Sequence, residues 1–289
     1  MELNGDGHLD ILSGTYSRKS DDGMAGLFHV LWGSKDGFSA AEPLNGSDGK
    51  PLILPMGDGE NDIVDRICTR PFAVDLDGDG KLDIVSGNFR GTFAWFRGEG
   101  NGKFSPTATW LENASGKLEV DAHGDPFFVD FDKDGDFDLF SGSAQGGVFW
   151  FQNLGSKTAP KFGKRETLLE AAGHSPAEPD AMPFGDAHCK LPAADTRVWL
   201  DDVDGDGKLD LLVGDQIRLL HAAKGLDEKV ARTKFLAWSK KQQEFFSHPQ
   251  GDDEASQKKW QEQYEALEKE KETFVTEEAT GFVWLFRGK

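Results

Sequence analysis

The sequence predicts an all-β fold, a β-propeller built from four-stranded antiparallel blades, with a helical hairpin inserted in the last repeat. Two observations predict it. An aspartate-rich loop of nine residues occurs four times in the chain. Short apolar segments, typical of buried strands, stand at matching positions around the copies. Four-stranded sheets repeated around an axis are the blades of a propeller, and recurrence of one sequence unit is their signature.

The repeated loop has acidic or amide side chains at positions 1, 3, 5 and 9 and glycine at position 6. Its copies occupy residues 2–10, 75–83, 130–138 and 202–210. Oxygen ligands at this spacing curl around one hard cation, and the carbonyl at position 7 completes the oxygen shell. Glycine permits the sharp turn because it has no Cβ. The loop therefore predicts bound Ca²⁺, at up to four structural sites.

The residues after each loop exclude an EF-hand. An EF-hand loop has twelve residues, ends in a bidentate acid and leads into a helix. Position 12 here is Ser13, Ser86, Ser141 or Val213, and the residues around it form short apolar runs closed by glycine. Such runs are typical of strands. We therefore expect each loop to join two strands.

The repeat unit extends beyond the loop and its second strand. An apolar strand precedes three loops, at residues 71–74, 126–129 and 198–200. A glycine-led aromatic strand follows in all four repeats, at residues 26–32, 91–96, 147–151 and 281–286. A turn and a more polar fourth segment come next, at residues 37–39, 102–105 and 160–163. The pattern predicts four antiparallel strands per repeat.

With these motifs the chain resembles the FG-GAP/VCBS repeat proteins, whose calcium-bearing propeller is shared with the N-terminal region of integrin α chains. The resemblance covers nearly the whole chain except the stretch near residues 225–279. It implies Ca²⁺ in the loop between the first two strands of each blade, and a secreted or cell-surface protein. The metal ligands that it implies by position are Glu2, Asn4, Asp6, Asp10, Asp75, Asp77, Asp79, Asp83, Asp130, Asp132, Asp134, Asp138, Asp202, Asp204, Asp206 and Asp210.

We expect one propeller domain or propeller fragment over residues 1–289. Its predicted repeats span about 1–66, 67–121, 122–193 and 194–289. Propellers have roughly 4–8 blades, so four repeats either close a small wheel or form an arc of a larger, seven-bladed one. The chain starts at the first loop, where Glu2 and Asn4 replace aspartates. This start favours a fragment of a longer protein, and the first loop is the least regular site.

The fourth repeat contains an insertion over about 225–279. It is rich in Lys, Glu, Gln and Ala, and helices are predicted at about 227–247 and 253–277. Trp260, Tyr264 and Leu267 share one face of the second helix. The residues that can supply the facing stripe are Phe235, Trp238, Phe245 and Phe246. The segment is either a self-packed hairpin, which the pattern favours, or a docking element for another domain or subunit.

Composition limits the partners and the compartment. The net charge of −19 argues against nucleic-acid binding, which requires a basic face. No apolar run approaches the roughly 20 residues of a membrane span. Cys68 and Cys189 are either two separate thiols or a disulfide. We expect an extracellular, cell-surface or periplasmic protein.

Two functions remain open. The first is a noncatalytic, calcium-stabilised binding or adhesion scaffold that presents its loops to a protein or glycan. The second is an extracellular carbohydrate-active enzyme, a polysaccharide lyase or hydrolase. Common catalytic motifs such as HExxH, GxSxG and the P-loop are absent from the sequence, and most clustered acids are assigned to metal. The sequence therefore favours the scaffold, with no catalytic residues and no cofactor besides Ca²⁺. Arg70 and Arg197, aligned beside their inner strands, are expected to face the axis, as are Cys68 and His123.

Overall fold

The computed structural model describes residues 1–20, 23–56, 63–172, 183–247 and 253–289. These residues form mostly β-structure in antiparallel sheets, with three α-helices among them. The prediction of an all-β fold is confirmed at this level. The predicted break between the two inserted helices includes residues 248–252, which lie outside the described residues.

The chain forms two compact units. The first consists of Met1–Ala171, Ala193–Asp215 and Val283–Lys289. The second consists of Ala172–Pro192 and Gln216–Phe282, and so contains the segment predicted as a helical insertion. Cys68 and Cys189 are not joined by a disulfide. No helix in the described part of the chain is long and apolar enough to cross a membrane.

The first repeat forms a three-stranded sheet (sheet 1) of β1, β4 and β7, with hairpins β2–β3 and β5–β6 beside it. A short helix, α1 (Ile63–Arg66), precedes the second repeat. The strands are β1 (Ile11–Gly14), β2 (Arg18–Ser20), β3 (Gly23–Ala25), β4 (Phe28–Leu31), β5 (Gly33–Ser34), β6 (Gly37–Phe38) and β7 (Glu42–Pro43).

The second repeat forms a four-stranded sheet (sheet 2) in the order β13–β10–β9–β8, with hairpins β11–β12 and β14–β15. The strands are β8 (Arg70–Val74), β9 (Asp83–Gly87), β10 (Phe93–Phe96), β11 (Gly98–Gly100), β12 (Lys103–Phe104), β13 (Thr109–Trp110), β14 (Glu112–Asn113) and β15 (Gly116–Lys117).

The third repeat forms a regular four-stranded sheet (sheet 3) in chain order. Its strands are β16 (Asp125–Val129), β17 (Asp138–Gly142), β18 (Val148–Asn153) and β19 (Phe162–Leu169). The predicted fourth segment at residues 160–163 leads into β19. The equivalent segments of the first two repeats contain β6 and β12 instead, each in a two-stranded hairpin, and the outer strand comes later. Glycine-rich turns at these points close the hairpins before the chain returns to the sheet.

The fourth repeat contributes strands to both units. Its strands are β20 (Ala194–Asp201), β21 (Asp210–Ala222), β22 (Val275–Thr280) and β23 (Val283–Phe286). In the first unit β20, the start of β21 and β23 form sheet 4, where Leu211–Gly214 pair with Val283–Phe286. In the second unit the later part of β21 pairs with β22.

The inserted segment forms α2 (Glu228–Ser247) and α3 (Glu254–Glu272). Asp253 caps α3 by accepting a hydrogen bond from the Ser256 N–H at 2.9 Å. Trp238 of α2 is buried in the core of the second unit, and its indole N–H donates to the Leu267 carbonyl at 2.8 Å. The last predicted helical turns are absent, because Val275–Thr280 is strand β22 rather than helix.

Within the first unit each sheet packs against the next. Ile84 and Phe96 of sheet 2 share a core with Phe28 of sheet 1. Val85, beside Ile84 on β9, faces the other way into a core shared with Phe128 of sheet 3. The same alternation continues one sheet further on, where Phe127, Phe140 and Val148 of sheet 3 meet Val198, Leu200 and Val213 of sheet 4. Period-two alternation explains why strands buried on both faces are apolar throughout.

A glycine at the end of the second strand permits this packing in sheets 1, 2 and 3. A Cβ on Gly87 would lie 1.8 Å from the carbonyl oxygen of Gly124, the residue just before sheet 3 begins. A side chain is therefore excluded where one repeat's backbone meets the next. The equivalent contacts are Gly14 with Thr69 and Gly142 with Thr196.

Candidate metal centre

The four aspartate-rich loops are named loops 1 to 4 in chain order (residues 2–10, 75–83, 130–138 and 202–210). Loops 2, 3 and 4 each connect the first strand of a sheet to the second, and loop 1 leads into β1. The expectation that the loop joins two strands is confirmed for these three. Glycine at position 6 has φ between 84° and 95° in every loop, which favours a residue without Cβ. These glycines are Gly7, Gly80, Gly135 and Gly207.

Loops 2, 3 and 4 each bring three carboxylates together. In each loop one oxygen from position 1, one from position 3 and one from position 5 lie within 4.8 Å of one another. These are the groups of three or more His, Cys, Asp or Glu side chains found together among the described residues. Their members are Asp75, Asp77 and Asp79; Asp130, Asp132 and Asp134; and Asp202, Asp204 and Asp206.

Backbone N–H groups hold the clustered carboxylates. In loop 2 the Gly80 N–H donates to Asp75 at 3.1 Å, and the Lys81 N–H donates to Asp79 at 2.9 Å. The same two bonds, from position 6 to position 1 and from position 7 to position 5, occur in loops 3 and 4. Each loop thus orients its acids through its own backbone, and the arrangement follows from the local sequence.

The position-9 aspartates lie outside the three clusters. Asp83 is buried; its Oδ1 accepts from the Gly98 N–H at 2.6 Å and its Oδ2 from the Leu76 N–H at 3.1 Å. These bonds tie the loop to the end of the third strand. The other three position-9 carboxylates are buried too and accept the equivalent bond at or just after the end of the third strand. They are Asp10, Asp138 and Asp210. The sequence predicts these residues as ligands; each also accepts a backbone hydrogen bond in the structure, and its role as a ligand stays a prediction.

Loop 1 keeps the hydrogen bonds but has a different donor set. Glu2 accepts from the backbone N–H groups of Gly5, at 2.8 Å, and of Gly7. The Asn4 amide donates to Asp6 at 3.2 Å. With an amide at position 3, this loop presents two carboxylates at its first three ligand positions, one fewer than the other loops.

Several buried carboxylate oxygens in loops 2 and 3 have no hydrogen-bond partner. In loop 2 these are Oδ1 of Asp75 and Oδ1 of Asp77. In loop 3 they are Oδ1 of Asp130, Oδ1 of Asp136 and Oδ2 of Asp138. A buried acceptor without a partner costs about 1–3 kcal/mol, and more when charged. A bound cation would satisfy these oxygens, so the residues present fit a metal.

The electrostatics differ between the loops. A hydrogen bond from the Lys81 ammonium lowers the pKa of Asp79, and Lys208 lowers the pKa of Asp206 in the same way. In loop 3 burial raises the pKa of Asp138 to about 6. Burial and then repulsion from the neighbouring aspartates raise the pKa of Asp136. Burial also raises the pKa of Asp83 in loop 2, so loop 3 differs in having two carboxyls with a raised pKa rather than one.

A second charged group lies at the opposite end of the inner strands. Asp125, the first residue of β16, contacts Arg197 at 3.2 Å and Arg70 at 4.0 Å. His123 Nδ1 is 3.7 Å from Asp195, and the Arg70 Nε–H donates to Cys68 Sγ at 3.5 Å. Cys68, His123 and Asp195 occupy the same place in successive repeats, and all three have positive φ. Sequence alignment of the repeats identified Arg70, Arg197, Cys68 and His123, but it missed both aspartates. Asp125 aligns with Arg70 and Arg197, and Asp195 aligns with Cys68 and His123, so the same alignment contains the information that identifies both aspartates.

Residues 75–141 match the family model of the FG-GAP-like repeat. The matched segment begins at the first aspartate of loop 2, contains all of loop 3 and ends in β17. A search of curated proteins found no match. Residues 75–141 are therefore similar to the FG-GAP-like repeat, and the resemblance indicated by the motifs of the chain is confirmed over this segment.

Proposed function

We propose that the chain is a calcium-stabilised extracellular binding or adhesion scaffold, a β-propeller or propeller arc whose loops hold Ca²⁺. The observation that carries the proposal is the recurrence of one three-carboxylate cluster at the same place in three successive repeats. Recurrence matters because acidic groups are common on surfaces, whereas the same three positions meeting in each repeat requires a common cause.

The donor set favours calcium over transition metals. Every member of the three clusters is an aspartate. Zn²⁺ and Cu²⁺ sites generally use imidazole or thiolate ligands, whereas Ca²⁺ takes six to eight oxygens in flexible geometry. Three aspartates, the position-7 carbonyl and water would supply such a shell. Magnesium demands near-ideal octahedral geometry and keeps several waters, which makes it the natural control.

The role proposed for calcium is structural. Each cluster holds three carboxylates within 4.8 Å, and their mutual repulsion opposes folding. A cation bound only by the folded state stabilises it by about 2.7 kcal/mol at a hundredfold excess over its Kd. Extracellular calcium modules bind with a Kd of roughly 10⁻⁴–10⁻³ M, so occupancy fits an extracellular location.

The sheet packing supports the propeller part of the proposal. At each of three successive interfaces, from sheet 1 to sheet 4, apolar residues on one face of a sheet pack against apolar residues of the next sheet. The closing glycine makes the same close approach at each of them. Repetition of one interface is how blades are arranged around an axis. Such a scaffold presents the loops at its rims to a protein or glycan.

The experiment is thermal unfolding in EDTA, then across a calcium titration, with magnesium in parallel. We expect a calcium-selective rise in melting temperature. Asp79→Ala and Asp206→Ala should each reduce the calcium-dependent stabilisation by about 2.7 kcal/mol at a hundredfold excess. Asp36→Ala, an exposed aspartate outside the loops, is the matched control and should leave the shift unchanged. A calcium shift equal in wild type and both loop variants contradicts the proposal.

A further inference from the structure

A side chain at or just after the end of the third strand reaches the position-3 carboxylate of its own loop. Arg97 forms an ion pair with Asp77 in loop 2, and Arg287 forms one with Asp204 in loop 4. In loop 3 the equivalent residue is neutral: the Gln152 amide donates to Asp132 Oδ2 at 2.7 Å. All three side chains orient the same carboxylate, but only two of them add a positive charge.

Position 7 differs between the loops in the same direction. Lys81 in loop 2 and Lys208 in loop 4 place an ammonium 2.9 and 3.1 Å from the position-5 aspartate of their loops. Loop 3 has Asp136 there instead. The lysine inside loop 3, Lys133, donates to the Gly207 carbonyl of loop 4 at 3.2 Å, so its ammonium is directed at a neighbouring loop.

Loop 3 has three buried acceptors that lack partners, against two in loop 2, and two of the three belong to Asp136 and Asp138. Asp136 is 6% exposed and Asp138 is 1% exposed. The Asn153 amide and the Trp150 indole interact with these two carboxyls, but Oδ1 of Asp136 and Oδ2 of Asp138 have no hydrogen bond of full geometry. These two oxygens lie outside the three-carboxylate cluster, and a cation bound in the loop would satisfy them.

We propose that the calcium sites are graded: loop 3 binds first and most tightly, and Arg97 and Arg287 weaken loops 2 and 4. The inference rests on the proposed function, since it assigns an order to the same sites. In loops 2 and 4 two basic side chains already neutralise carboxylates, and an incoming Ca²⁺ competes with them and is repelled by them. In loop 3 the full negative charge, burial and unpaired oxygens all favour the ion.

The competing effect is orientation. Groups behind a metal ligand usually strengthen binding by fixing the ligand, and their loss costs 10–100-fold in affinity. Gln152 separates the two effects, because its amide fixes Asp132 as Arg97 fixes Asp77 but without the charge. The exchange of arginine and glutamine between the two loops therefore changes mainly the charge.

The test is calcium titration of the full chain by calorimetry, with reciprocal variants. Gln152→Arg should weaken the tightest site about tenfold through charge repulsion, and Arg97→Gln should strengthen a weaker site by a similar factor. Asp134→Asn and Asp79→Asn assign the sites, and we expect the tightest site to disappear in Asp134→Asn. Arg218→Gln, which removes an exposed arginine that pairs with Glu277 in the second unit, is the charge-matched control.

The outcomes separate this inference from the proposed function. Loss of the tightest site in Asp79→Asn, or equal affinity at all loops, overturns the order while leaving calcium binding intact. Unchanged affinities in both Gln152→Arg and Arg97→Gln overturn the role of charge at this position. No calcium binding by the wild type overturns the proposed function itself. Circular dichroism of each variant checks that its fold is retained.

Discussion

Replacement of Gly87 by alanine should separate sheet 2 from sheet 3. The new Cβ would lie 1.8 Å from the Gly124 carbonyl oxygen and 2.5 Å from its carbon. Ordinary van der Waals contact begins near 3.4 Å, so the two backbones must move apart by about 1.5 Å. Both partners are backbone, and neither can rotate away.

The expected cost follows from this displacement. Overpacking of a core costs about 1–3 kcal/mol when side chains can adjust, and more when they cannot. A gap of 0.5–1 Å already loses a quarter to a half of each contact's attraction, and the interface here includes Val85, Phe93 and Phe128. We expect a loss of about 3 kcal/mol or more, which lowers the melting temperature by roughly 6 °C or more.

The fourth repeat supplies a matched control. Gly214 holds the same place in sheet 4, but the nearest atom to its added Cβ is Arg197 Cβ at 4.0 Å. Alanine fits there, and it also reduces the entropy of the unfolded chain. Gly214→Ala should stay within about 1 kcal/mol of wild type by urea denaturation. A Gly87→Ala variant as stable as Gly214→Ala would refute the close approach between repeats.

Two further predictions concern other parts of the chain. Burial raises the pKa of Asp125 to about 6 against an ordinary 3.8, although Arg70 opposes the shift. The folded state therefore binds this proton more tightly than the unfolded state does. Because of this difference, the free energy of unfolding falls as the pH rises through these values. Between pH 5 and 7 this group should cost the wild type about 1 kcal/mol that Asp125→Asn does not lose, and parallel pH profiles in urea denaturation would contradict it. In the second unit, Trp238→Phe removes the hydrogen bond to Leu267 and part of a buried ring, and should cost about 2 kcal/mol by the same method, whereas Phe246→Leu at an exposed ring should cost little.

The sequence predicts the parts of the fold that are determined by residues close together in the chain. Short motifs predict the second strands, the aromatic third strands and the loop turns. The spacing of apolar residues and the position of glycine determine each of them within about ten residues. The loop hydrogen bonds are equally local, since position 6 and position 7 amides reach back to carboxylates five and two residues away. That is why the three clusters match the predicted positions 1, 3 and 5.

The rest depends on contacts between distant residues. Strand β22 has the sequence Val-Thr-Glu-Glu-Ala-Thr, which carries no apolar alternation, and it forms because Ile217 pairs with Thr280 across the whole insertion. The hydrogen bond from the Gly98 N–H to the Asp83 carboxylate, fifteen residues away, is likewise not predictable from the loop sequence alone. The group of Arg70, Asp125 and Arg197 joins three repeats, and only the packing of their inner strands brings it together.

The outer face of sheet 4 is exposed, whereas the equivalent face of sheet 3 is covered. Phe127 of sheet 3 is buried because sheet 4 covers it, and its ring lies 5.1 Å from that of Trp199. Trp199 stands two residues after Arg197, as Phe127 stands two after Asp125, yet it is 55% exposed. Val283 and Leu285, on the third strand of this sheet, are exposed as well. Because this face is exposed, we expect Gly214→Ala to cost little stability. A cost as large as that of Gly87→Ala would instead mean that another sheet packs there in solution, and sedimentation would then decide whether a second copy supplies it.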